Sequence, residues 1–302
     1  KSTNGNPPPL LDPFAGGGTI PLEALRVGAD AFASDINPVA ILLNKVLLEY
    51  VPKYGRGLVD EVKKWGEWIK KEAEKELSEY YPKDTDGSKP IAYLWARTIK
   101  CEGPRCGAEI PLIRSLWLAI KGKQSVALKI IPNPNKKNVS FEILESPQPS
   151  EVGSGTLKRS SATCPCCGYT TPAQNVRQQF EKRKGGANDA KLFAVVTINS
   201  SKAGKTYRVA NERDIKAFKK ASIRLEEKRQ KHDGPIPLIP EEELPYLRSI
   251  FNINLLGVNR WCDLFSSRQM LSLTVLWGLL RKQISLNSRG ENADFVKACC
   301  TC

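Results

Sequence analysis

Residues 10–37, LLDPFAGGGTIPLEALRVGADAFASDIN, decide how the chain is read. Leu10 and Leu11 lead an apolar strand into Asp12, and Gly16, Gly17 and Gly18 then let the backbone turn sharply, as residues without a Cβ can. Thr19 is placed to cap the helix that follows. Pro21 sits in its first turn, where no amide donor is needed, and Leu22, Ala24, Leu25 and Val27 give it an apolar face before Gly28 closes it. A second short run, Ala31 to Ala33, ends on Asp35, about 20 residues beyond the turn, where βαβ nucleotide sites carry a ribose-gripping carboxylate. The stretch predicts one adenosine-binding βαβ start.

The glycine spacing discriminates between adenosine ligands. The nicotinamide fingerprint G-x-G-x-x-G would need glycine where Pro21 stands, and the phosphate loop would need a Lys-Ser/Thr pair that the stretch lacks. What remains, D-P-F-x-G-x-G-T at Asp12–Thr19 followed by D-x-N-P at Asp35–Pro38, resembles motifs I and II of the S-adenosylmethionine-dependent amino-methyltransferases. That resemblance implies a cofactor-binding set of Asp12, Pro13, Phe14, Ala15, Gly16, Gly17, Gly18, Thr19, Asp35, Ile36 and Asn37. In it the glycine loop passes under the methionine part, Asp12 lies near its amino group and Asp35 on the ribose.

The 302 residues carry 46 Lys and Arg against 32 Asp and Glu, a net charge of +14. The length allows two compact units. A basic surplus of this size favours a polyanionic partner, with nucleic acid the natural candidate; a merely solvated basic surface is the bland alternative. No run approaches the roughly 18 apolar residues of a membrane span, and no leader opens the chain, so the expectation is a soluble cytoplasmic protein with no membrane partner. Nine cysteines in such a setting argue for metal or free thiols over disulfides.

Four of them are spaced as metal ligands. Cys101-x4-Cys106-Gly107 and Cys164-x2-Cys167-Gly168 are thiol pairs each followed by glycine, as expected where the amides after a bound thiolate turn inward. Four sulfurs complete a tetrahedral Zn2+ and leave no position for water, so the expected role is structural. Cys166 competes with Cys167 within Cys164-Pro165-Cys166-Cys167, and C-x-x-C-G decides for Cys167. Unligated core or redox cysteines are the alternative.

Elsewhere, Asn6-Pro7-Pro8-Pro9 reads as an extended lead-in. Val39–Leu48 predicts a buried helix, and Val59, Val62, Trp65, Ile69, Ala73 and Leu77 predict an amphipathic helix over 58–81, followed by a loop at Pro82–Pro90. Ala92–Ile99, Val126–Ile131 and Leu192–Ile198 predict strands, and Pro132–Lys158 a loop or weak hairpin. Arg177, Lys182, Arg183 and Lys184, with Lys202, Lys205 and Arg208 around Tyr207, suggest a basic rim that neutralises phosphates. Asn211–Lys231 predicts a helix with an Ile215, Phe218, Ser222, Leu225 stripe, and His232 a surface residue at its exit. Beyond the Pro235, Pro237, Pro240 linker, Ser266 or Ser267 caps a helix whose core face is Met270, Leu273, Leu276, Trp277 and Leu280. Cys299, Cys300 and Cys302 have no interpretable spacing.

Taken together, DPFAGGGTIPLEA (12–24), SDINPVA (34–40), AYLWARTIKC (92–101), CGAEIPLIRSLWLA (106–119) and RWCDLFSSRQ (260–269) resemble the zinc-ribbon-containing adenine-specific DNA methylases that carry a DUF1156 region. The resemblance implies an α/β fold: a partial Rossmann-like methyltransferase sheet with an inserted, mainly β zinc-ribbon subdomain and flanking helices. It divides the chain into methyltransferase motifs and a helical extension (1–90), a target-recognition insert (91–210) and a helical segment (211–302). It implies double-stranded DNA as partner, S-adenosylmethionine and structural zinc as cofactors, and methyl transfer to adenine N6. Position 9 is Pro where the Asn/Asp-Pro-Pro-aromatic catalytic motif has an aromatic, and no such tetrad occurs in the sequence. No catalytic residue is therefore assigned, and the expectation is a fragment that needs a missing catalytic segment or a partner protein. An RNA base methyltransferase and a non-catalytic zinc and nucleic-acid-binding subunit are the alternatives.

Overall fold

In the computed structural model, which describes residues 5–122, 124–199, 202–245, 252–287 and 293–302, the opening stretch is a βαβ unit. Strands β1 (Pro9–Asp12) and β2 (Asp30–Ala33) pair in parallel, Leu11 opposite Phe32 and Asp12 opposite Ala33. Between them runs helix α1 (Thr19–Arg26), which buries Pro21 and Ala24 while Leu22, Leu25 and Val27 of the expected apolar face stay in solvent. The expected methyltransferase sheet is represented among the described residues by these two strands alone.

The chain divides into two compact units, one reaching to Glu76 and including Val275–Cys302, the other Leu77–Thr274. In the first unit, α2 (Pro38–Asn44) starts at Asn37, whose side chain accepts from the Val39 amide at 3.0 Å. It passes through a π-helical turn, Lys45–Tyr50, into α3 (Val51–Leu77), where Gly55 breaks the helical path at φ 53° and ψ −134°. The interval between the two expected helices, 39–48 and 58–81, is thus one left-handed glycine within a nearly continuous helical run. Leu58 and Trp65 pack with Tyr50, Val296 and Cys299 into this unit's core. Cys299, unplaced by its spacing, is a buried apolar contact there, and burial pushes its thiol up to about 11.

The second unit is built from short antiparallel sheets. Strands β3 (Lys89–Ala96), β4 (Thr98–Lys100), β5 (Glu109–Pro111), β6 (Trp117–Ala119), β7 (Val126–Asn133) and β8 (Asn138–Glu145) come first. After them run β9 (Leu157–Lys158), β10 (Ser161–Thr163), β11 (Thr170–Thr171), α4 (Ala173–Glu181), β12 (Lys191–Asn199) and β13 (Lys202–Val209). The sheet orders are β13-β12-β3, β6-β7-β8, β4-β5 and β11-β10-β9. The first part of the stretch expected as a loop or weak hairpin supplies the turn and β8 of a regular hairpin with the expected strand β7, paired from Val126↔Glu145 to Asn133↔Asn138. Its Asn, Ser, Pro and Lys content masks a period-two pattern: Val139 is buried while Ser140 faces water. Helix α4 falls on the stretch read as merely basic, held by buried Val176 and Phe180.

Helix α5 (Glu212–Gln230) begins at Asn211, whose side chain accepts from the Arg213 and Asp214 amides, a reciprocal capping box. Asp214 also joins a part-buried ion cluster of the unit. Arg208 on β13 forks to Asp84 (2.6 and 2.7 Å) and to Asp214 (2.6 and 2.9 Å). It therefore does not belong to a free basic rim, and Arg183, paired with Asp189 at 2.9 Å, does not either. The side chain of Lys202 lies outside the described residues.

Helix α6 (Ser267–Asn287) buries Met270, Leu271, Thr274 and Val275, whereas Leu273, Leu276 and Trp277 of the expected face are exposed. Its apolar run, Met270 to Leu280, puts apolar residues on every side and is broken only by Ser272, Thr274 and Gly278, so it sets no clear phase, and Arg268 sets it instead. That guanidinium is 3% exposed, 3.8 Å from the Tyr93 ring centroid and 4.8 Å from Tyr81, and donates to the Tyr80 carbonyl at 3.2 Å. Helix α7 (Ala293–Thr301) completes the described chain, and no helix among the described residues is long and apolar enough to cross a membrane.

Removing Arg208 leaves the buried Asp214 carboxylate uncompensated, a loss of about 3 kcal/mol or more. Urea denaturation of Arg208→Ala should show it. Burial pushes the Asp214 carboxyl up, but hydrogen bonds from Arg208 and the Asn211 amide outweigh it and hold it below its ordinary value. Its stabilising share is thus present above the ordinary carboxylate range and is lost as pH falls through the lowered value, below about pH 4. The acid arm of the wild-type stability profile should flatten in Arg208→Ala.

Candidate cofactor loop and metal centre

The residues singled out around the glycine run come together at the carboxyl ends of β1 and β2, where ligands of open α/β sheets bind. Asp12 is buried at the end of β1 and its Oδ1 accepts from the Phe14 amide at 3.1 Å. Backbone bonds from Ala15 N to Ser34 O (3.0 Å) and Ser34 N to Asp12 O (2.9 Å) lock the two strand ends. Gly16 and Gly18 are left-handed, at φ 51° and 79°, as the tight turn requires. Thr19, expected to cap α1, is instead its first helical residue; Gly18 occupies the cap position and no side chain bonds there.

Asp35 closes the loop from the other side. Its Oδ2 accepts from the Gly16 amide and its Oδ1 from the Asn37 amide, each at 2.8 Å. The Asn37 and Gly16 amides hold this exposed carboxyl below its ordinary range, so it stays ionised. Each oxygen keeps a second lone pair for a donor from solvent. Phe14 and Ile36 flank the mouth 85% and 99% exposed, and Pro13 is also exposed, while Ala15 is buried beneath. Gly17 and Gly16 face open space, with nothing within 4 Å of a built Cβ.

Sequence reasoning missed Asn44, at the end of α2. Its Nδ2 donates to Gly16 O at 3.0 Å and Ala40 O at 2.8 Å, and its Oδ1 lies 2.7 Å from where a Gly18 Cβ would stand. The signal was a polar residue at the end of the apolar run Ile41-Leu42-Leu43. Any side chain at position 18 would meet both this contact and a positive φ.

In the second unit the ligand atoms of Cys101, Cys106, Cys164 and Cys167 all lie within 4.8 Å of one another. The Cys101–Cys167 sulfurs are 3.5 Å apart and those of Cys106 and Cys164 3.8 Å, close to the edge of about 3.8 Å of a tetrahedron with 2.3 Å Zn–S bonds. The four can hold a metal such as zinc. Gly107 and Gly168 are left-handed at φ 60° and 75°, the turns expected behind each pair. The Gly103 amide points at Cys101 Sγ (3.3 Å), and a Cβ on Gly103 would come 3.1 Å from Cys167 Sγ. Cys166 turns away, its thiol 3.5 Å from Asn138 O. Burial pushes the Cys101 and Cys164 thiols up, whereas the Tyr169 amide draws the exposed Cys167 down. Gln179 on α4 ties the first pair down, accepting from Lys100 N at 2.8 Å and donating to Lys100 O at 3.0 Å.

Comparison with family models, curated proteins and solved structures yields no match.

Elemental analysis should find a single bound zinc per chain. Cys101→Ser and Cys164→Ser should lose it together with folded secondary structure, Cys167→Ser should weaken retention against a chelator, and Cys166→Ser should keep wild-type metal content.

Proposed function

We propose that this chain is the S-adenosylmethionine-binding and nucleic-acid-contacting part of an adenine-specific DNA methyltransferase, with structural zinc in its four-cysteine cluster. The observation that carries the reading is the pair of carboxylates, Asp12 and Asp35, set at the ends of two adjacent parallel strands on either side of a left-handed glycine loop. Both present acceptors only, which suits an ammonium and a vicinal diol and repels phosphate. The same logic disfavours a dinucleotide, whose pyrophosphate needs the fuller glycine fingerprint.

In this reading Asp35 takes the ribose hydroxyls on its remaining lone pairs, and Asp12 attracts the amino group. Phe14 and Ile36 give the adenine an apolar border. Amides at the start of α1, held in place by Asn44 beneath Gly16 and Gly18, face the carboxylate end. The cofactor supplies an electrophilic sulfonium methyl group. Methylating an exocyclic adenine amine also needs an acceptor to align the amine and an aromatic face for the flipped base. The 302 residues contain no Asn/Asp-Pro-Pro-aromatic tetrad, so the activity assigned to them is binding, without methyl transfer. The net charge of +14 and the exposed Arg105, Lys136, Lys137, Arg177, Lys182 and Lys184 around the zinc-ribbon elements support a polyanion as target.

Isothermal calorimetry on zinc-loaded protein should show binding of S-adenosylmethionine and of its demethylated product. Hydrogen bonds to a charged acceptor contribute about 1.5 kcal/mol or more each, so Asp35→Ala should weaken binding about tenfold or more. Absence of heat from the folded wild-type protein overturns the cofactor reading. A preference for structured RNA over duplex DNA in gel-shift titrations would move the reading to an RNA methyltransferase.

A further inference from the structure

Apart from the cofactor loop and the cysteines, the second unit carries an open apolar groove of about 600 Å3 between β3, α5 and the segment leading into β12. Helix α5 buries Ala217, Ala221 and Leu225 on one side, and its neighbouring stripe, Ile215, Phe218, Ser222 and Ile223, lines the groove. Trp95 packs directly on Phe218, ring centroids 4.7 Å apart, so the two rings form one continuous apolar surface on which a flat group can lie. The volume lies within the roughly 300–1,000 Å3 of small-ligand sites.

We propose that this groove receives a single unstacked nucleobase of the nucleic-acid partner. The inference rests on the nucleic-acid part of the function proposed above. Three donors at the groove distinguish a base from an apolar helix. Asn188 Oδ1 is taken by Ser267 N and Oγ, each at 2.9 Å, which fixes the amide and leaves Nδ2 without a partner among the described residues. The Trp95 indole N–H has none among them either, and Lys219, also lining the groove, has no acidic partner among them. A covering helix with an apolar face would strand these donors, at about 1–3 kcal/mol for each that is buried unsatisfied. A nucleobase has an apolar, polarisable face for Trp95 and Phe218, acceptor atoms on its edge for Asn188 and the indole, and a phosphate for Lys219. Lys191 at the rim is already held, donating to Val139 O at 2.7 Å, so it is a wall and not a phosphate contact.

The test compares two short duplexes, one fully paired and one with a single bulged adenine, in titrations with the full chain. The wild type should bind the bulged duplex about tenfold more tightly, because base–aromatic stacking carries roughly 1–3 kcal/mol per base. Trp95→Ala should erase that preference and leave paired-duplex affinity within about twofold, a difference of about 0.4 kcal/mol. Since Trp95 also packs on Phe218, Ile223→Glu provides a second variant: Ile223 is 62% exposed, so its replacement spares the fold while a carboxylate at the mouth repels the incoming nucleotide. Equal affinity of the wild type for both duplexes overturns the inference, as does a preference unchanged in folded Ile223→Glu. Failure to bind either duplex overturns the nucleic-acid reading itself, and a groove that proves to hold a helix of another protein shows as loss of that complex in Ile223→Glu with the duplex preference intact, which also overturns it.

Discussion

Four sulfurs gathered within 4.8 Å are the constraint on which the second unit depends. Its β4-β5 and β9–β11 sheets have strands of two or three residues, too short to be stable alone. They are joined because Cys101 and Cys164 belong to the same buried cluster as Ile99, Ile110, Ala162, Val176 and Phe180. The four-cysteine cluster and the hydrophobic core are therefore one object: a cation such as zinc held there would draw the thiolates together and close the apolar pocket around them. Without it, desolvation favours neutral thiols, and the polar interior of the cluster has little to hold it at its present spacing.

What could be read from the chain follows the distance over which the physics acts. The glycine loop and the two carboxylates are local: residues 12–19 and 35–37 meet through one strand, one turn and one helix, and the sequence spacing carries the geometry. The cysteine pairs are nearly so, since each knuckle is a short turn marked by its own glycine. Longer-range choices were not legible. Nothing beside Arg208 announces that it is shared between Asp84 and Asp214, and so a residue counted toward a nucleic-acid surface is an internal clamp. The face of α6 failed for a related reason: with apolar residues on every side, the phase was chosen by Arg268 among the rings of Tyr81 and Tyr93.

Asn44 illustrates a third kind of gap. An asparagine within an apolar helical run looks like a surface residue or a break, yet here one amide holds the loop carbonyl of Gly16 while its oxygen occupies the space that a side chain at Gly18 would need. The requirement for glycine at 18 thus comes from two independent sources, the positive φ and the neighbour. A motif read as three permissive glycines contains one that is sterically obligatory and two, Gly16 and Gly17, whose outward faces are open.

The first unit leaves Leu11 and Phe32, paired across β1 and β2, 67% and 59% exposed on one face of the two-stranded sheet. Parallel sheets normally have both faces covered. While ionic strength is low, the charge of +14 keeps molecules apart and this face is harmless. Once salt shortens the reach of that repulsion to a few ångströms, this bare strip, next in sequence to Asp12, is open to association with another molecule, so the solubility of the protein should fall as salt rises.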